Sequence, residues 1–182
     1  MLSYEVESCS KCDELVDCRS RIVNGVGSGK LGLLFVGEAP GKQEDDEGEP
    51  FVGRSGEILT EKLDDAGASR DEVRITNSVR CRPPENRDPR KDEISNCRGY
   101  LEAEIETMGP EVVCTLGRVP TSNLLGRSVT LGDVVGEKES VEIGSSVYDV
   151  VPCYHPAAML YDRSKEESIE KVISNVVEMA RS

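Results

Sequence analysis

The run Leu31-Gly32-Leu33-Leu34-Phe35-Val36, ended by Gly37-Glu38-Ala39-Pro40-Gly41, decides the fold. A short apolar run cut off by glycine and proline reads as a buried strand, and functional sites in open α/β sheets lie just beyond the carboxyl ends of strands. The loop that follows continues through Glu44 and Asp45 to Pro50-Phe51-Val52-Gly53-Arg54. A plain turn needs one or two turn residues. This loop gathers close-approach glycines, fixed prolines, a lone aromatic and several acids, which marks it as an active-site loop.

Outward from that strand, helical and strand patterns alternate. Ile58, Leu59 and Leu63 form one helical stripe that Gly67 ends, and Val73 to Val79 reads as a second strand. Pro83, Pro84 and Pro89 force an irregular connection into a helix over 93–108, which Pro110 stops. Val112 to Leu116 is a third strand, 122–125 belongs to a short helix, and Val147 to Val151 is a fourth strand. A last amphipathic helix over 165–179 turns Ile169, Val172, Ile173 and Val176 inward. The expectation is an α/β fold, a three-layer α/β/α sandwich around a mainly parallel four-stranded sheet, in one domain over 1–182 with a cysteine-bearing arm at 1–30.

Composition narrows the function. No apolar run of the 182 residues approaches the ~20 needed to span a bilayer. The first ten residues carry two glutamates and no lysine or arginine, unlike a signal peptide, so a cytoplasmic protein is expected. A net charge of −13 argues against a general nucleic-acid binder, yet the charge is uneven. Between Arg74 and Arg98 seven basic residues face four acids, a local +3 that suits a phosphate-facing surface. A solvated loop with ordinary ion pairs explains that stretch equally well when it is taken alone.

The seven cysteines are an odd number, which disfavours a fully paired disulfide framework. Cys9-Ser10-Lys11-Cys12 is a C-x2-C pair, open by itself to zinc, iron–sulfur or redox-thiol use. Cys81 follows the second strand and Cys97 sits on the helix after the prolines. Four thiolates from these positions can hold a [4Fe-4S] cluster in a structural role, although spacing does not choose iron over zinc. Cys18, Cys114 and Cys153 are weaker ligand candidates, and Cys114 reads as a small buried hydrophobe.

Three strand ends carry chemistry. Asn77 offers an amide donor and acceptor to a planar polar ligand, and Phe51, one of two phenylalanines, is placed to stack on a base. His155, the only histidine, can donate to a carbonyl oxygen that gains charge during bond cleavage. Each residue alone has an ordinary structural explanation; their arrival at one sheet edge weakens it.

At this point the chain resembles the family 4 uracil-DNA glycosylases, the iron–sulfur branch of the uracil-DNA glycosylase superfamily. The resemblance is carried by Gly37 to Gly41 with Pro50-Phe51-Val52-Gly53-Arg54-Ser55-Gly56, by Asn77-Ser78-Val79-Arg80-Cys81-Arg82-Pro83-Pro84, by the Cys97 helix, by Leu116-Gly117-Arg118 and by His155-Pro156-Ala157-Ala158. It implies a DNA-repair enzyme that extrudes deoxyuridine and hydrolyses its N-glycosidic bond, leaving an abasic site. It also implies a [4Fe-4S] cluster on Cys9, Cys12, Cys81 and Cys97, stacking of uracil on Phe51, reading of its polar edge by Asn77, and stabilisation of charge at O2 by His155. Ala39 stands where the best-known uracil-DNA glycosylases carry a water-positioning aspartate, as is usual for family 4. Glu44, ahead of Asp45, is the carboxylate candidate for that role. Glu38 is a second acid of the site, and Glu38, Gly37 and Gly41 shape the base pocket.

Pro156, Ala157 and Leu160 are expected at the minor groove, with Leu160 as a wedge, and Arg82, Arg87 and Arg163 at phosphates. The expected partner is uracil-containing DNA, bound by a monomer, with no membrane. Two other readings stay open: a related glycosylase of broader deaminated-base specificity, and a noncatalytic iron–sulfur domain that binds DNA.

Overall fold

A computed structural model describes residues 4–182; residues 1–3, the start of the arm expected at 1–30, lie outside the described residues. In chain order the elements are α1 (Asp13–Cys18), β1 (Leu33–Gly37), α2 (Lys42–Glu47), α3 (Arg54–Asp65), β2 (Arg74–Asn77), α4 (Lys91–Met108), β3 (Val112–Leu116), α5 (Arg118–Leu125), α6 (Leu131–Val134), β4 (Glu139–Ile143), β5 (Ser146–Cys153), α7 (Ala158–Tyr161) and α8 (Lys165–Arg181).

The sheet has five strands in the order β2-β1-β3-β5-β4, which corrects the expected four. β2, β1, β3 and β5 run parallel, and β4 pairs antiparallel with β5. The extra strand escaped an apolar-run search for a physical reason. Its sequence, Glu-Ser-Val-Glu-Ile, buries only Ile143, as befits an edge strand with one side in water. Gly144, at φ 60°, and Ser145 turn the chain back into β5.

Alternation of side chains along β1 divides the core. Leu33 and Phe35 meet Leu59 and Leu63 of α3 and Ile169, Ile173 and Val176 of α8 on one face. Leu34 and Val36 meet Leu101 and Ile105 of α4 and Leu124 of α5 on the other. All five residues of β1 are buried, and Gly37 lies opposite Asn77 in register. Because β1, β2, β3 and β5 are parallel, their carboxyl ends open on the same edge, which is where Glu38, Asn77, Gly117 and His155 emerge.

The arm is tied to this frame by buried polar groups. Val23 N–H donates to the Arg80 carbonyl at 2.7 Å, and Val26 bridges Ile75. Glu104, fully buried on α4, accepts from Arg74 and Arg80 at 2.8 and 2.7 Å. Among the described residues no helix is long and apolar enough to cross a membrane.

Candidate active site and cysteine site

The pocket at the sheet edge is lined by Glu38, Ala39, Glu44, Phe51, Ser55, Asn77 and His155. The structure thus brings Glu38, Glu44, Phe51, Asn77 and His155 together, with Gly37 beneath them. A Cβ at Gly37 would lie 2.5 Å from Asn77 Oδ1 and 2.6 Å from the Phe51 ring, so only glycine lets these two groups close over the strand end. Gly41 plays a lesser part: a Cβ there would meet the Glu44 carboxylate at 2.9 Å. A larger groove on the outer side of Phe51 carries Glu47, Glu49, Glu57, Glu61, Asp64 and Asp65. Six carboxylates against one arginine, Arg70, make that groove strongly acidic, whereas the smaller pocket carries two carboxylates.

Phe51 is buried with φ 55°, a left-handed backbone conformation that costs a non-glycine residue about 1–3 kcal/mol. Its neighbours hold it there. Glu44 Oε2 accepts from Val52 N–H at 3.1 Å and Gly53 N–H at 3.0 Å, while Oε1 accepts from Gly41 N–H at 3.0 Å. Arg70 donates to the Pro50 carbonyl at 2.7 Å, and a Cβ at Gly56 would overlap the Phe51 carbonyl. Glu44 faces the pocket, but three N–H groups fill three of its roughly four acceptor positions. Its first task is to staple the loop.

The Phe51 and His155 rings are stacked, with centroids 5.7 Å apart and planes at 29°. Ala157 N–H donates to His155 Nδ1 at 3.1 Å, so a neutral ring carries its proton on Nε2. Burial pushes the imidazole below its ordinary 6.5, against an opposing pull from Glu44, which favours that neutral form. Asn77 is buried at the end of β2, and its side chain lines the pocket with Oδ1 over Gly37.

Glu38 is the other titrating group. Burial first, then the hydrogen bond and charge of Asp88, push its carboxyl from 4.5 up to about 7, with a weaker opposing pull from Arg118. Asp88 and Arg118 act on Glu38 from a neighbouring cavity that they line together, and neither was anticipated from sequence as a site residue. Arg118 had a readable signal, since it directly follows the glycine at the end of β3.

The residues expected at DNA divide. Arg163 is exposed, and Arg82 is half-buried with Nε bonded to Asn86 at 2.7 Å. Arg87 instead grips both Glu93 oxygens at 2.8 and 2.9 Å and approaches Glu14 at 3.4 Å, which ties α4 to α1. Pro156 is buried, and Ala157 is the N-cap of α7. Leu160 and Tyr161 project from α7, 48% and 91% exposed. Sequence reasoning missed Tyr161; an aromatic beside Leu160 ahead of the last helical stripe was the available signal.

Cys9, Cys12, Cys81 and Cys97 line one small cavity together with Leu15, Arg19, Val79, Asn96 and Tyr100. Cys18, Cys114 and Cys153 lie elsewhere. Among the described residues no three ligating side chains are grouped closely enough to hold a single ion. A cluster of several iron atoms spreads its ligands wider than one ion does, and this all-thiolate donor set suits iron–sulfur chemistry. Two donors already point at the sulfurs: Arg19 Nη1 to Cys81 Sγ at 3.0 Å and Asn96 Nδ2 to Cys12 Sγ at 3.4 Å. Burial pushes the Cys97 thiol up to about 11 and raises Cys81, against opposing pulls from Arg80 on the first and Arg19 on the second.

The parallel strands thus end in a Phe51–His155 stack, a buried Asn77 and an imidazole whose Nδ1 is occupied by the Ala157 N–H. The family model described as the uracil DNA glycosylase superfamily matches residues 25–177. A type-4 uracil-DNA glycosylase of Archaeoglobus fulgidus is 40% identical over 179 residues, covering 96% of this chain and 89% of its own. One from Saccharolobus solfataricus is 41% identical over 187 residues, covering 100% and 86%, and one from Thermotoga maritima is 37% identical over 183, covering 100% and 92%. The chain belongs to the type-4 uracil-DNA glycosylases.

Proposed function

We propose that this protein releases uracil from DNA by hydrolysing the N-glycosidic bond of deoxyuridine, with the pocket between Phe51, Asn77 and His155 as the base site. The observation that carries it is the junction of the Phe51–His155 stack with the buried Asn77 side chain in one pocket. Family membership supports the same reaction.

Deoxyuridine leaves the stack and its base enters beside Phe51. Asn77 exchanges a donor and an acceptor with the uracil edge. As the N1–C1′ bond lengthens, negative charge builds on the base, and His155 Nε2–H donates to O2 without losing its proton. Water adds at C1′ and its displaced proton ends on the departing uracilate, so the products are uracil and an abasic site. Glu44 keeps Phe51 and the 52–53 backbone in place and sets its negative charge near the sugar cation. With most acceptor positions occupied, it is a poor base. Glu38, poised to carry a proton near neutrality, borders the base beside Asp88.

Outside the pocket, Arg82, Arg163 and Arg118 supply positive charge for phosphates, with Leu160 and Tyr161 on the projecting α7 as the wedge. Cys9, Cys12, Cys81 and Cys97 would hold a [4Fe-4S] cluster that joins the arm to β2 and α4. The protein works in the cytoplasm as a monomer. Large hydrophobic side chains exposed among the described residues are few: Val16, Val147, Leu160 and Tyr161.

The test offers iron-loaded protein three oligonucleotides, carrying uracil, hypoxanthine or thymine, and identifies the free base. Uracil release with equimolar abasic sites is expected. Faster hypoxanthine release would move the assignment to a broader glycosylase, and tight binding with no base released would remove the catalytic one.

A further inference from the structure

We infer that Asp45 is a positioning residue that couples the four-cysteine site to the loop carrying Phe51. Asp45 does not line the base pocket, and it is 2% exposed. Both of its oxygens accept from Ser20 N–H, at 3.0 and 3.1 Å, and Oδ1 also accepts from Arg21 N–H at 3.4 Å. A buried carboxylate satisfied only by the backbone of a distant segment fixes that segment in place.

Three consecutive residues of the arm therefore face two sites. Arg19 caps α1 and reaches the cysteines, donating to Cys81 Sγ at 3.0 Å and to the Cys9 carbonyl at 2.7 Å. Ser20 and Arg21 bind α2 through Asp45. The Arg21 side chain also lies on Gly48 at the end of α2, where a Cβ would come within 3.1 Å of its Cδ. On the neighbouring position of α2, Glu44 holds Gly41, Val52 and Gly53. A six-residue helix has little stability of its own, so these two carboxylates determine where α2 sits.

The contacts form a continuous path from Cys81 through Arg19, Ser20, Asp45 and Glu44 to the Val52 and Gly53 N–H groups that follow Phe51. Loading the cysteines fixes Arg19 and with it the base-stacking loop; emptying them frees the arm and loosens that loop. This inference rests on the cluster reading given above.

The test combines iron and acid-labile sulfide content, hydrogen exchange at the Val52 and Gly53 amides, and single-turnover uracil release, for wild type and Asp45→Asn. Asp45→Asn is expected to keep its iron and sulfide and its melting temperature within a few degrees. Its Val52 and Gly53 amides should exchange about tenfold faster or more, with release slowed in parallel. Wild type stripped by a chelator should show the same faster exchange. Wild-type exchange in iron-loaded Asp45→Asn, or unchanged exchange on stripping, overturns the coupling. Should Asp45→Asn fail to fold, Arg19→Gln decides from the other end: it must speed exchange at the same two amides. Wild type lacking iron and sulfide would refute the cofactor reading instead, while the exchange comparison would still judge the link between Asp45 and the loop.

Discussion

Replacing Gly37 with alanine isolates the base pocket from the rest of the fold. Gly37 is not among the residues with positive φ, so alanine fits its backbone, and any effect comes from the added methyl group. That carbon would sit 2.6 and 2.7 Å from two Phe51 ring atoms and 2.5 Å from Asn77 Oδ1. Comfortable carbon contacts are about 3.5 Å or more, so the ring has to retreat by roughly 1 Å. Overpacking of this size costs about 1–3 kcal/mol, or a melting temperature lower by roughly 2–12 °C in a chain of this length. The catalytic effect should be larger, because a 1 Å misplacement of substrate costs about 100-fold. The assay is single-turnover uracil release at saturating enzyme, beside a thermal melt. A folded Gly37→Ala protein that releases uracil within about threefold of wild type would refute the placement of the base between Phe51 and Asn77.

Other expectations follow from charge. Burial holds His155 below the usual 6.5, so single-turnover release should stay level above neutrality and decline only on the acid side, where protonated Nδ1 faces the Ala157 N–H; a pH–rate profile checks this. Glu38 binds its proton more tightly folded, at about 7, than at the ordinary 4.5. Its stabilisation is therefore full below 4.5 and lost as pH rises to about 7, and melts of Glu38→Gln should show a flatter pH dependence across that window. Glu104→Ala strands two buried arginines and should cost about 3–5 kcal/mol in a denaturant titration. Arg163→Gln should reduce the salt slope of DNA binding by about 1, whereas Arg87→Gln, removing a tie between α4 and α1, should lower the melting temperature and leave that slope nearly unchanged.

Much of the frame was legible because burial on both faces writes unbroken apolar runs. β1 and β3 announced themselves in that way, as did the inner faces of α3 and α8. β4 did not, because an edge strand need bury only one residue, here Ile143. The pocket residues were legible by type and by their positions after strands. Their loads were not. Glu44 reads as a free carboxylate until the three N–H groups on it are seen, and Asp45 reads as its spare until its bonds to Ser20 and Arg21 appear. Arg87 likewise lies in a basic stretch that suggested phosphate, and only the fold brings Glu14 and Glu93 to it. Local sequence shows which groups are present; distant backbone decides which of them are already occupied.

The proposed role of His155 as the Nε2–H donor to departing uracil follows from the Ala157 N–H that occupies its Nδ1. Its most direct test is single-turnover release of free uracil by iron-loaded wild type and His155→Ala, with DNA affinity measured in parallel. The mechanism requires release by wild type and a loss of about 100- to 1,000-fold in the variant at nearly unchanged DNA affinity. A His155→Ala protein that cleaves at the wild-type rate would contradict it.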